Sequence, residues 1–133
     1  ETDFFIGEYQ LTTLVPGIFG IDTFAEGVVT LEQGESSNDA RKFSAIVYPA
    51  FGGFGPFTFN FTLVCGTVLV PSGQDTGIGC DLNTLLGPSN TFGSYEAGDD
   101  SVLVIDFVDD EGSFSCEDYG SGETPASIKL TKI

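Results

Sequence analysis

Two clusters of carboxylates are the residues of this chain that could do chemistry most directly. Asp109, Asp110 and Glu111 follow a segment of strand character, and Asp99 and Asp100 precede it. Calcium takes six to eight oxygen ligands, so runs of acidic side chains are candidates for binding it. An extended strand between them would hold the clusters roughly 25 Å apart, which predicts two calcium sites and not one. Neither cluster has the spacing of an EF-hand loop, and solvated turn carboxylates are the simpler interpretation of both.

The other residue types leave little room for a catalytic centre. The chain has no histidine, which rules out a Ser-His-Asp triad and a cysteine activated by histidine. A pair of carboxylates could hydrolyse a glycosidic bond, but spacing singles out no pair among the 20 acidic residues, and the separation of such a pair depends on the fold. The sequence therefore predicts a protein that is not an enzyme and that uses no cofactor apart from calcium.

Three cysteines, Cys65, Cys80 and Cys116, form an odd set. None has the Cys-x-x-Cys spacing of a zinc site, and no histidine is present to complete one. Cys65 ends a predicted strand and Cys80 follows a turn that brings the chain back, so we predict a disulfide between these two. It would close a loop of about 15 residues and stabilise the fold by roughly 3 kcal/mol on a chain-entropy estimate. Cys116 is then left over, and three reduced, buried cysteines are the alternative.

Aromatic residues supply two further candidate sites. Phe57, Phe59 and Phe61 alternate with polar residues at period two, which is typical of a half-buried antiparallel strand. Such a stripe either packs in the core or lines a ligand cavity inside a small barrel, and we favour the core. A glycan-binding surface would use exposed aromatic side chains, and the candidates for it are Tyr48, Phe51, Phe54 and Tyr95.

Short strands separated by glycine and proline are the elements predicted to position these residues. Predicted strands cover residues 6–15, 24–33, 42–48, 57–65, 67–70, 101–108 and 126–133, with a further short strand near Tyr95. The sequence therefore predicts an all-β fold, an antiparallel barrel or flattened sandwich of about eight strands, in a single domain spanning residues 1–133.

Two connections are predicted to be more than simple turns. Residues 16–23 contain three large apolar side chains, so we expect this loop to fold over a barrel mouth or a sheet edge. Residues 81–88 are predicted to form a single helical turn, capped by Asp81 and ended by Gly87-Pro88.

The charge balance limits the classes of partner and the cellular compartment that the sequence favours. The chain carries 20 acidic and 4 basic residues, a net charge of −16, which disfavours nucleic acid and anionic membrane surfaces. It is compatible with divalent cations, basic partners or solubility in a salty extracellular medium. The chain contains no run of about 20 apolar residues, so no membrane span is predicted. The start at Glu1, together with a predicted disulfide, favours a mature exported protein or an excised domain, extracellular or at a cell surface.

The two ends of the chain resemble a known family. Gly7-Glu8-Tyr9 is similar to the Gly-x-Trp opening of lipocalin-like barrels, with tyrosine in place of tryptophan. The closing residues 127–132 resemble the last strand of lipocalin-like domains in exported bacterial lipoproteins. The Gly, Asp, Thr and Phe content is similar to that of bacterial surface and adhesin proteins. This resemblance implies a lipocalin-like up-and-down meander, favoured over the sandwich, and raises an apolar ligand as an expectation.

The function expected from these observations is a non-enzymatic, cell-surface β-domain with a binding or structural role, such as adhesion or assembly. Its partner would be a protein or a glycan at a cell surface, or a second copy of the chain. A lipocalin-like carrier of a small apolar ligand is one alternative, and it needs an unfilled cavity behind Phe57, Phe59 and Phe61. A carbohydrate-binding or glycan-active module is the other, and it needs exposed aromatic side chains.

Overall fold

A computed structural model describes residues 4–80, 82–113, 115 and 122–133. Ten strands lie in this part of the chain: β1 (Gly7–Val15), β2 (Gly27–Gln33), β3 (Ala40–Val47), β4 (Phe54–Val64), β5 (Thr67–Leu69), β6 (Gln74–Gly79), β7 (Asn83–Pro88), β8 (Gly93–Tyr95), β9 (Val102–Asp109) and β10 (Thr124–Lys132). Single 3-10 turns are present at Ile18–Gly20, Pro49–Phe51 and Glu111–Ser113. None of the described residues belongs to a helix long and apolar enough to cross a bilayer.

Eight of the strands close into an antiparallel barrel. Their order is β1, β2, β3, β4, β5, β8, β9 and β10, and β10 pairs with β1 to complete the ring. The predicted all-β fold, with an antiparallel barrel of about eight strands, is confirmed. The strands follow one another in sequence order except where β5 pairs with β8. At that point β6 and β7 leave the ring as an additional hairpin.

The β6–β7 hairpin extends the sheet beyond the ring. β7 pairs with the last residues of β9, whose first residues pair with β8. The helical turn predicted for residues 81–88 is wrong, because Asn83–Pro88 is a strand. The reason is a period-two pattern, in which Thr84 and Leu86 are buried at 1% and 0% exposure. Asp81, the predicted helix cap, lies outside the described residues.

A side chain covers the gap between β6 and β4. The Gln74 side chain accepts a hydrogen bond from the Asn60 backbone N–H at 2.8 Å and donates one to the Asn60 carbonyl at 2.9 Å. It thus bonds β4 as a neighbouring strand would. Pro56, further along β4, has no N–H to offer at an edge.

Aromatic rings fill the centre of the barrel. Phe59 and Phe61 have no exposed surface and Phe57 is half-buried, as the period-two pattern predicts. The Phe59 ring centroid lies 5.3 Å from that of Phe24 and 5.6 Å from those of Phe43 and Phe107. These are the separations of well-packed aromatic pairs. The stripe is therefore core, as favoured from the sequence.

The two ends of the barrel are closed by different segments. At one end, Phe4 and Phe5 pack edge-to-face on Tyr95, and the buried Arg41 guanidinium donates a hydrogen bond to the Phe4 carbonyl at 2.9 Å. At the other end, residues 16–23 cover the barrel as predicted, together with the turn Pro49–Phe51. We call this second end the capped end.

Candidate functional site

A buried carboxylate organises the capped end. Asp109, the last residue of β9, has 0% exposure. Its Oδ1 accepts a hydrogen bond from the Tyr48 hydroxyl at 2.7 Å. Its Oδ2 accepts bonds from the Thr23 hydroxyl at 2.9 Å and from the Ile18 backbone N–H at 3.3 Å. The Asp109 side chain therefore holds the loop at residues 16–23, including the 3-10 turn that begins at Ile18, against the sheet.

Burial dominates the electrostatics of this network. Loss of water raises the pKa of Asp109 above its usual value, while the bonds from Tyr48, Thr23 and Ile18 oppose that shift. Burial also raises the pKa of Tyr48, and the neighbouring Asp109 charge raises it further. The tyrosine hydroxyl consequently keeps its proton and remains a hydrogen-bond donor. The arrangement is suited to holding a loop, because each group is already committed to a partner within the protein.

A chain of hydroxyl groups ties the β6–β7 hairpin to the same network. The Tyr48 hydroxyl lies 2.7 Å from Thr84 Oγ1, which lies 2.7 Å from Thr76 Oγ1. Thr76 Oγ1 donates to the Ile78 carbonyl at 3.0 Å. Gly17 allows the loop to approach this closely, since a Cβ there would collide with Asp109 Oδ2. The capped end is therefore built from four separated segments that share one hydrogen-bond network.

An open pocket lies above this network. It has a volume of about 70 Å³ and is lined by Ile18, Phe19, Tyr48, Phe51, Ile78, Gly79, Cys80 and Thr84. The Phe19 and Phe51 rings stand at 73° to each other with centroids 5.8 Å apart. They keep 43% and 55% of their surface exposed. Two large aromatic rings are thus left in solvent at the mouth of a pocket with a rigid floor.

Two of the pocket residues adopt a left-handed backbone conformation. Phe19 has φ 59° and Tyr48 has φ 52°, a region that costs residues with a Cβ about 1–2 kcal/mol. Both residues adjoin groups bonded to Asp109, so the buried network offsets this cost and fixes where the two rings point.

The four aromatic residues predicted to bind glycans do not lie together. Tyr48 is buried at 2% exposure and forms part of the pocket floor, whereas Phe51 is exposed beside it. Phe54 is half-buried in β4. Tyr95 packs at the opposite end of the barrel, where its backbone N–H donates to the Gly66 carbonyl at 3.1 Å. Phe19 is not among the site residues predicted from the sequence, although the apolar character of residues 16–23 is a signal that points to it.

The carboxylates of Asp109, Asp110 and Glu111 accept hydrogen bonds from other groups of the protein. Asp109 and Asp110 have 0% and 1% exposure, so their interpretation as solvated turn carboxylates is wrong. Closure of the capped end buries them. Asp110 Oδ1 accepts a bond from the Ser115 N–H at 3.2 Å. The Glu111 carboxylate accepts bonds from the Ser72 hydroxyl at 2.7 Å and from the backbone N–H of residue 73 at 2.8 Å.

The second cluster, Asp99 and Asp100, is also bonded within the protein. Asp99 accepts bonds from the backbone N–H and the hydroxyl of Ser101, at 2.9 and 2.6 Å. Asp100 pairs with Lys132 at 2.9 Å. Within the described ranges, no three acidic or cysteine side chains converge as metal ligands. Calcium binding at either cluster therefore stays a prediction.

The predicted Cys65–Cys80 disulfide is wrong. Cys65 is a free, exposed thiol, and Cys80 is disulfide-bonded elsewhere. The two residues lie at opposite ends of the barrel. Cys65 forms the tight β4–β5 turn with Gly66, which contacts Tyr95, whereas Cys80 lines the pocket at the capped end. Cys116 lies outside the described residues.

No protein-family model, no curated protein and no solved structure matches the chain.

Proposed function

We propose that this chain is a non-enzymatic, exported β-domain that acts as a binding module at a cell surface, with its ligand site at the capped end. The observation that carries the proposal is the pair of exposed rings, Phe19 and Phe51, at the mouth of a pocket of about 70 Å³. Exposed aromatic side chains on a rigid scaffold are typical of binding surfaces, because they offer contact area at low conformational cost.

The packing of the barrel supports a scaffold role over a carrier role. A carrier would need space behind Phe57, Phe59 and Phe61. Phe59 and Phe61 are fully buried instead, and their rings contact the rings around them. An apolar ligand would therefore have to bind outside this core, and the pocket at the capped end is such a place.

A carbohydrate-binding module is the second candidate. The observation favouring it is the exposure of Phe51, one of the four predicted glycan-binding residues, with Phe19 beside it. A sugar ring could stack on either face of this pair. The strongly acidic chain, at net charge −16, favours neutral or cationic ligands and basic protein partners over acidic polysaccharides.

The proposal can be tested by mapping where small ligands bind. We expect fragments from a mixed library of neutral sugars, apolar molecules and cations to shift backbone amide resonances of residues 16–23, 49–53 and 76–80. The double variant Phe19→Ser, Phe51→Ser should lose these shifts, because both rings are exposed and their removal should leave the fold intact. Phe92→Ser is the matched control, since Phe92 is 63% exposed and lies in another loop.

The same experiment can contradict the proposal. Shifts spread over the surface, or clustered elsewhere and unaffected by the double variant, would remove the capped end as the binding site. Hydrolysis of any sugar in the library would contradict the non-enzymatic assignment.

A further inference from the structure

We propose that the pocket at the capped end binds a quaternary ammonium group, held between the rings of Phe19, Phe51 and Tyr48 above the buried carboxylate of Asp109. This inference rests on the proposed binding function and names the chemical class of its ligand. It follows from the pocket walls, the carboxyl beneath them and the hydrogen bonds that already engage the hydroxyl groups of the floor.

Three of the eight residues that line the pocket are aromatic. Phe19 and Phe51 pack edge-to-face at 73° and keep 43% and 55% of their surface exposed, so a group at the pocket mouth meets aromatic surface. Tyr48 lies below, and its hydroxyl points away from the mouth toward Asp109. The faces of aromatic rings carry negative electrostatic potential and attract cations, and methylated ammonium groups are the ligands that such cages bind.

The charge under the floor has the sign that a cation requires. The Asp109 carboxyl lies beneath Tyr48, where it accepts a hydrogen bond from the Ile18 N–H and is bonded to the Tyr48 and Thr23 hydroxyls, and its ionised form would attract a cation. The basic residues of the chain are Arg41, Lys42, Lys129 and Lys132, and none of them lines the pocket. The net charge of −16 attracts a cation over longer distances.

The floor favours a methylated cation over a primary amine. A primary ammonium has three N–H groups that need acceptors when water is removed. The Tyr48 and Thr84 hydroxyls are already engaged with each other and with Asp109, Thr76 and the Ile78 carbonyl. A quaternary ammonium group has no N–H to satisfy, so these commitments do not oppose its binding.

The volume fits one such group. The pocket measures about 70 Å³, roughly half the volume of an engineered cavity that holds benzene. Because the pocket is open, a trimethylammonium head can place its methyl groups against the rings while the rest of the molecule stays in solvent. The group could be carried by choline or by a trimethylated lysine side chain, and its chemistry is the same in both.

The test compares choline with its neutral isostere, 3,3-dimethylbutan-1-ol, by titration of the amide resonances of residues 16–23 and 49–53. We expect saturable binding of choline and at least fivefold weaker binding of the alcohol. Phe19→Leu and Phe51→Leu should each weaken choline binding about two- to fivefold, the contribution of one exposed ring. Phe92→Leu, with its ring at 63% exposure elsewhere, should bind choline as the wild type does.

Two further ligands identify the carrier of the group. Binding of a peptide with trimethyllysine, but not of the same peptide with unmodified lysine, would support recognition of the quaternary group on a protein. Binding of phosphocholine without binding of choline would overturn the proposal, because recognition would then depend on the phosphate.

Failure of this inference is distinguishable from failure of the proposed function. If the alcohol binds as well as choline, or if neither binds, the quaternary ammonium group is excluded. The fragment mapping with the serine variants still decides whether the capped end binds another class of ligand.

Discussion

Truncation of Phe59 to alanine should be among the most destabilising single changes in the barrel. The side chain has 0% exposure, and replacing a buried phenylalanine by alanine costs about 3–5 kcal/mol. Four rings lie with centroids 5.3–6.4 Å from it, those of Phe24, Phe43, Phe61 and Phe107. Each lost aromatic pair adds roughly 0.5–1.5 kcal/mol beyond burial, so we expect a loss near the upper end of the range.

The measurement is the free energy of unfolding of the wild type and the variant, obtained from urea titrations. The two proteins are compared with the same dependence of that free energy on urea concentration. Phe57→Ala is the matched control, since Phe57 lies on the same face of β4 but is only half-buried. Its loss should be about half as large, in proportion to the apolar area that it buries. If Phe59→Ala does not fold, Phe59→Leu should rank between it and the wild type.

A loss at Phe59 no larger than the loss at Phe57 would refute the filled core. Saturable binding of a naphthalene-type probe inside the wild-type barrel, with a rise in melting temperature, would refute it independently. Either result would promote the apolar carrier as the function.

Three further predictions concern the network and its surroundings. Because burial raises the pKa of Asp109, the Asp109 carboxyl binds a proton more tightly in the folded state than in the unfolded chain. The free energy of unfolding, taken relative to Asp109→Asn, should therefore increase as the pH falls from 7 to about 4, and the opposite slope would contradict the raised pKa. The Cys80 N–H donates to Ser115 Oγ at 2.9 Å, so we predict that Cys80 pairs with Cys116, and a non-reducing peptide map placing Cys65 in the bond would contradict this. If either acidic cluster binds calcium, millimolar calcium should raise the melting temperature above its value in chelator at fixed ionic strength, and an unchanged melting temperature would remove the metal site.

The barrel could be predicted from the sequence because its signal is local. Alternation of large apolar and polar residues, as around Phe59, specifies both the strand and the face that it buries. The same alternation is present in β7, but Gly87-Pro88 looked like the end of a helix. In a strand of only six residues, the glycine and proline at its end outweigh the alternation and favour the wrong prediction of a helical turn.

The candidate site could not be predicted because it depends on contacts between distant segments. Asp109 belongs to an acidic run that looks solvated in the sequence, but its hydrogen-bond donors lie 61, 86 and 91 positions earlier in the chain. The exposure of Phe19 and the partner of Cys80 likewise depend on how the barrel end closes. The turn before Cys80 indicates Cys65 as its partner, but the closed barrel places Cys65 at the far end.

The amide of Gln74 has a consequence for how this protein behaves at high concentration. Asn60 directs its N–H and carbonyl toward β6, so by the alternation of a strand residue 58 directs its own groups the same way. A strand from another molecule could extend the sheet only by displacing the Gln74 side chain, and at Pro56 it would find no N–H to bond. This open edge of β4 is thus guarded against intermolecular strand addition, the first step toward fibrillar aggregates.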